Sequence, residues 1–256
     1  MPELSIMLLL FLSGVLAGVC NAVAGGGTFF TFPIFLSAGI PPVVANASNA
    51  VAVWPGHALA AVGYRRELRE FNHGMKSSII IAIMGGAFGA LLLAYIGNRA
   101  FSMLIPFLIL FATLLFGFGK SVNSWINDRT ASVSIETPGY VTRLFEFVVA
   151  AYGGFFGAGL GIMLMGGLLM LGVHDIHANN ALKNLLGAII TAISVVVLSI
   201  SGLVSWPHTI FAFIGAVIGG LLGVPLARLL SDIWLRRLVI SIGIFLTIHY
   251  FVKYYL

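Results

Sequence analysis

Lys183 is the lone cation of a long apolar stretch, and it follows Asn179 and Asn180 by four and three residues. On a helix, positions three or four apart share a face, so both carboxamides can stand beside the ammonium, with Asn184 one turn beyond Asn180. A helix start adds unpaired amides and a positive end to those donors. The combination suits a small anion. A second polar helix start, Asn46, Ser48 and Asn49, lies in the first half of the chain. Capping and interhelical hydrogen bonding also use asparagines, and a lysine near a helix end can snorkel to the interface. An ionisable group at membrane depth is nonetheless costly enough to need a partner or a task.

The elements that must position these residues follow from composition. Of 256 residues, 60% are hydrophobic and 8% charged. Apolar runs fall near 4–24, 27–40, 43–63, 76–97, 101–119, 144–159, 160–172, 177–200, 206–227 and 234–255. Many reach the length of about 20 residues that spans a bilayer, and they are continuous rather than alternating, so helices are expected and a barrel is not. The fold class is therefore an all-α polytopic membrane protein. The first run has no basic residues before it and no small-residue cleavage pattern, and reads as a retained helix. Cys20 is alone, which excludes an internal disulfide and a Cys-rich metal site. The net charge of +5 marks loops and not one soluble surface, so nucleic acid is not an expected partner.

Glycines organise the chain further. Gly25, Gly26 and Gly27 interrupt the first long run, and Gly157, Gly159 and Gly161 interrupt its counterpart in the second half. An offset of 133 residues places Gly26 on Gly159, Gly39 on Gly172, Ala45-Asn46 on Ala178-Asn179 and Gly86 on Gly219. Ten of the 13 Lys and Arg residues sit in three loops: Arg65, Arg66, Arg69 and Lys76; Lys120, Arg129 and Arg143; Arg228, Arg236 and Arg237. All three are expected to be cytoplasmic. Under the repeat the basic loop moves by one connection, as it must if the halves are inverted. The expectation is two inverted repeats of about five helical segments each, 1–119 and 144–256, joined by a cytoplasmic linker, 120–143, with both termini outside; a short surface helix folded back within 120–143 is the alternative for that stretch. Eight ordinary helices in parallel halves, with termini inside, is the competing arrangement.

Short glycine-broken segments at corresponding places in two halves point to the binding site of a transporter. Close helix packing explains isolated glycines such as Gly85, Gly86, Gly89, Gly215, Gly219, Gly220 and Gly223 better. The candidate substrate-binding set is Gly25, Gly26, Gly27, Asn46, Asn49, Gly159, Gly161, Asn179, Asn180 and Lys183. His57 is the inner candidate for a proton relay, although a packed histidine fits it equally well. His174, Asp175 and His177 read as solvated loop residues and not as a metal site. No hydrolase, Walker or zinc-protease motif is present, so neither an enzyme nor a cofactor is expected.

The run Gly14-x-x-x-Gly18 into Ala24-Gly25-Gly26-Gly27, then Pro33 and Ala45-Asn46-Ala47-Ser48-Asn49, resembles the TauE/SafE family of membrane transporters. The second-half matches are Gly153-Gly154-Phe155-Phe156-Gly157-Ala158-Gly159-Leu160-Gly161 and Ala178-Asn179-Asn180-Ala181-Leu182-Lys183. The resemblance covers nearly the whole chain and implies secondary transport of a small sulfur-containing anion such as sulfite, sulfoacetate or another sulfonate. It places the chain in a bacterial-type plasma membrane, with lipid as its surroundings and a homodimer left open. A small-anion channel and a non-transporting membrane scaffold are the alternatives.

Overall fold

A computed structural model describes residues 3–23, 26–70, 75–130, 139–227 and 232–256. Gly25, Arg228 and residues 131–138 of the expected linker lie outside them. The described residues form helices α1 (Leu4–Val23), α2 (Thr28–Ser37), α3 (Pro42–Gly63), α4 (Arg65–Glu70), α5 (Met75–Ile96) and α6 (Asn98–Thr130). Then come α7 (Tyr140–Phe155), α8 (Leu160–Met170), α9 (Ile176–Ile200), α10 (Trp206–Ala227) and α11 (Asp232–Tyr255). Among them α1, α5, α6, α9 and α11 are long and apolar enough to cross a membrane. The protein is thus an all-α, multi-pass membrane protein. Helices α2 and α8, with 10 and 11 residues, reach about 15 Å at 1.5 Å per residue, half of a bilayer core.

Punctuation at the helix ends follows local chemistry. Pro42 starts α3 at its first position, where a missing N–H costs nothing. Asp175 caps α9, its carboxylate accepting from the Ala178 amide at 2.8 Å. Gly159 precedes α8 with φ +77, a conformation that an L side chain rarely adopts. One element is longer than its apolar run. Helix α6 continues through Lys120, Asn123 and Asn127 to Thr130, so the first part of the polar stretch is helix projecting past the apolar span. At 33 residues it is about 50 Å long, more than a bilayer core requires.

Close contacts fix the helix directions. Gly14 lies against Ala212 and Gly18 against Ala216, so α1 and α10 are parallel; Gly85 against Ala150 and Gly89 against Phe155 make α5 and α7 parallel. Helix α3 also runs with α10, since the Ser205 amide donates to Ser48 Oγ at 2.9 Å while Leu59 lies beside Gly220. Helices α6 and α11 are antiparallel. Tyr255 Oη donates to the Met103 carbonyl at 3.0 Å, and Arg236 Nη2 donates to the Gly117 carbonyl at 2.9 Å. Gly159 beside Leu115 and Gly166 beside Asn123 set α8 parallel to α6, and Gly26 beside Val239 with Phe29 beside Gly243 set α2 parallel to α11. After α1 the chain turns back, bringing Gly27 beside Ala17 and Asn21.

Taken together, α1, α3, α6, α8 and α10 run one way, and α2, α5, α7, α9 and α11 the other. The N-terminus of α1 and the C-terminus of α11 share one face. The ends of α3, α6 and α10, with Arg65, Arg66, Lys120, Arg129, Arg236 and Arg237 near them, lie at the other. Small residues permit the tightest of these pairings. A Cβ at Gly18 would run into the Ala216 carbonyl and come within 2.6 Å of the Gly220 amide nitrogen, both backbone groups of α10. Gly18→Val is therefore expected to cost about 1–3 kcal/mol by overpacking, read as a lower unfolding midpoint in detergent.

Candidate functional site

A cavity of about 450 Å³ lies between α8–α9 on one side and α1, α3, α6 and α11 on the other. Helix α9 supplies Asn179, Asn180, Lys183 and Asn184; α6 supplies Lys120, Asn123, Ser124 and Asn127; α8 supplies Gly161 and Met165. Its remaining polar walls are Asn21, His57, His174 and Arg236. Three of these groups are lysine or arginine, and no carboxylate is among the described lining residues. The side chains near the ends of α6 and the starts of α9 and α11 place its mouth, among the described residues, on the basic face. Asn21, His57 and Gly161 are shared with a second chamber of about 20 Å³, lined also by Thr28, Asn49, Gly157 and Thr191. That is enough room for one water-sized particle.

The two half-length helices meet at this inner end. Thr28 is the first residue of α2, and Gly161 the second of α8, and both line the chamber. Helix starts carry unpaired amides and the positive end of the peptide dipoles. Asn21 secures the α1–α2 break, its Oδ1 accepting from the Gly27 amide at 2.8 Å. Asn49 Oδ1 accepts from Thr31 Oγ1, and its Nδ2 faces Thr28 Oγ1 at 3.4 Å. Lys183 is partly buried, and its Nζ donates to Asn180 Oδ1 at 2.9 Å. Among the described residues no Asp or Glu forms a salt bridge with it. An ammonium held this way has hydrogen-bond capacity left for a ligand, since it carries three donors.

Among the described residues the opposite face is closed by packed aromatic side chains. Phe32 packs edge-on against Phe156 with centroids 5.7 Å apart, and Phe101 does the same with Phe155. Phe32, Phe35 and Phe101 are essentially fully buried. Position 165, which stands to α8 as 32 stands to α2 under the offset of 133, is a methionine on the wall of the open cavity. The open and closed sides thus differ in side-chain volume as well as in backbone position.

The candidate residues do not all converge. Asn179, Asn180, Lys183 and Gly161 line the large cavity, Asn49 lines the small chamber, and His57 lines both. Asn46 lines neither; its Nδ2 donates to the Phe155 carbonyl at 2.8 Å. Gly26 is packed between Phe116 and Val239, Gly27 is bonded to Asn21, and Gly159 is packed on Leu115. Trp54 donates Nε1 to the Ala188 carbonyl at 3.3 Å, a link between α3 and α9. His174 does not read as simple solvated loop, since Nδ1 lies 2.8 Å from Asn127 Oδ1. Asp175 and His177 are exposed.

Sequence reasoning passed over Asn21, Asn123, Asn127 and Arg236. Asn21 had a usable signal, being the sole carboxamide in the run 4–24. Asn123 and Asn127 are four apart and so share a helix face, but assigning their stretch to a linker hid that spacing. Arg236 had none: its contact with the carbonyls of α6 depends on how α11 docks.

The sequence profile of the sulfite exporter TauE/SafE family matches residues 10–250. A "Probable membrane transporter protein" of Haemophilus influenzae is 26% identical over 245 residues, covering 95% of this chain and 94% of that one. "Probable membrane transporter protein ORF9" of a Sinorhizobium species is 28% identical over 256 residues, covering 97% and 94%. "Probable membrane transporter protein YfcA" of Escherichia coli K12 is 24% identical over 235 residues, covering 91% and 85%. No solved structure matches. A match over nearly every described helix, on a multi-pass fold with a cationic cavity, is decisive: the chain belongs to the sulfite exporter TauE/SafE family of membrane transporters.

Proposed function

We propose that this protein is a secondary transporter of a small sulfur oxyanion, sulfite or an organosulfonate, working by alternating access between inverted halves. The observation that carries the reading is the cavity of about 450 Å³, lined by Lys120, Lys183 and Arg236 without a described carboxylate, and leading to the starts of α2 and α8. Half-helix starts aimed at a midplane site are how such folds meet an anionic group. The substrate class also leans on the family's name, that of a sulfite exporter.

Several features support the inversion. Shifting by 133 residues carries α2 to 161–170, against α8 at Leu160–Met170, and α5 to 208–229, against α10 at Trp206–Ala227. Gly39 and Gly172, one shift apart, both close their half-helices at positive φ, +74 and +82. The packing pairs are reciprocal: α1 with α10 and α5 with α7, α6 with α8 and α11 with α2. In this arrangement each half makes an odd number of passes, so the second begins on the face opposite to the one where the first began. In this reading 1–119 and 144–256 are the repeats, 120–143 is cytoplasmic with α6 extending into it, and both termini are outside. The cavity then opens to the cytoplasm, and the phenylalanine cluster closes the outside.

The test is uptake of labelled sulfite, sulfoacetate, taurine, thiosulfate and sulfate into proteoliposomes. Saturable flux with counterflow is expected for sulfite or a sulfonate. Flux that rises without saturation would instead identify a channel, and no flux for any member of the panel would identify a scaffold.

A further inference from the structure

Asn46 and Asn179 stand one repeat shift apart, and they share three properties. Each is 2% exposed, each donates Nδ2 to main-chain carbonyls, and each leaves a buried Oδ1 without a hydrogen-bond partner. Their partners, however, are not equivalent. Asn46 reaches across to the other half and donates to the Phe155 carbonyl at 2.8 Å, on the closed side. Asn179 stays in its own half, donating to Val173 at 3.0 Å and facing Met165 at 3.3 Å, on the wall of the open cavity.

We propose that Asn46 and Asn179 are reciprocal latches that exchange partner sets when the transporter changes the side to which it is open. The inference rests on the inverted-repeat transport reading above. Under the shift, Phe155 corresponds to Ala22, Val173 to Ile40 and Met165 to Phe32. In the oppositely open state Asn179 therefore crosses to the carbonyl of Ala22, at the end of α1, while Asn46 turns back to the carbonyls of Ile40 and Phe32. The space for this movement is present. Asn21, the neighbour of Ala22, and Asn179 both line the large cavity, so closing it brings α9 toward the end of α1.

The unpaired oxygens fit this role. Buried acceptors are rarely left without donors, and each exception calls for a cause. A donor fixed on Oδ1 would pin the carboxamide in one geometry, whereas an amide bonded only through Nδ2 can turn between two sets of carbonyls. Latching of this kind lets two arrangements of similar free energy interconvert, as alternating access requires. Asn46 and Asn179 are thus positioning residues and do not need to touch the substrate.

Paired cysteines in a Cys20→Ser background test the exchange. Oxidation should bridge Asn46→Cys with Phe155→Cys, and also Ala22→Cys with Asn179→Cys, although Asn179 has a different partner here. Either bridge should lower saturable anion flux at least about tenfold, with recovery on reduction, because a locked state cannot cycle. In the quadruple variant, forming one bridge should prevent the other. Two bridges in one molecule would overturn the latch, and so would no Ala22–Asn179 bridge in a protein whose parent transports. Should Asn179→Cys fold poorly, Ala22→Cys with Ala178→Cys and a short bis-maleimide reads the same approach with both asparagines intact. Absence of saturable flux in the unmodified protein would instead overturn the transport reading itself.

Discussion

Lys183→Ala is expected to lower saturable anion flux by about tenfold to a hundredfold, through loss of a charge-assisted hydrogen bond worth about 1.5–3 kcal/mol. The size follows from where the ammonium sits. Its ammonium donates to the neutral Asn180 Oδ1, and no described carboxylate balances it. A cation in this position is least costly when an anion is beside it, so under the proposed function an anionic substrate relieves the unbalanced charge as it binds. Lys183→Arg should retain part of the flux, since charge is kept while the compact point donor becomes a planar fork. Concentration-dependent uptake into proteoliposomes checks both. Saturable flux at the parental level in Lys183→Ala would remove the lysine from the site.

Phe32→Ala is expected to damage the barrier on the closed face. Phe32 is 1% exposed and packs edge-on against Phe156, within the buried cluster that includes Phe35 and Phe101. Truncating a buried phenylalanine costs about 3–5 kcal/mol in lost transfer energy and residual cavity. The cavity it leaves lies on the face opposite the mouth of the open one. The variant should therefore combine a lower unfolding midpoint with a component of anion leak that rises linearly with concentration. Flux measured across a wide concentration range, beside thermal unfolding in detergent, separates the two effects. A destabilised variant with no linear leak would show that the barrier lies elsewhere.

Much of the architecture was legible before folding. Apolar runs near bilayer length gave most of the helices within a few residues, because backbone groups in hydrocarbon must be satisfied within the segment. The break before α8 was readable at Gly157 and Gly159, which take φ of +77 each. The helical end of α6 was not, because polar residues are compatible with a solvated helix as well as with a loop. Composition could not choose between them. The candidate site was legible where residues close in sequence act together, as with Asn180 and Lys183 at 2.9 Å. It was misleading where equivalence in sequence suggested equivalence in place: Asn179 lines the open cavity while Asn46 is sealed against Phe155.

The sequence by itself determined that the chain is a multi-pass helical membrane protein, and it singled out Lys183 as a charge needing a purpose. Those features are local, set by hydrophobicity over a single span and by side chains one helical turn apart. Only the tertiary structure decided where the cavity lies, which residues line it and which cations share it. Asn21 and Arg236 reach the cavity through contacts between helices far apart in the chain. The closed face depends on phenylalanines from α2, α6 and α7 meeting in one cluster. If the halves are the repeats proposed above, they still occupy different arrangements, because packing is a property of both halves together and neither one specifies it alone.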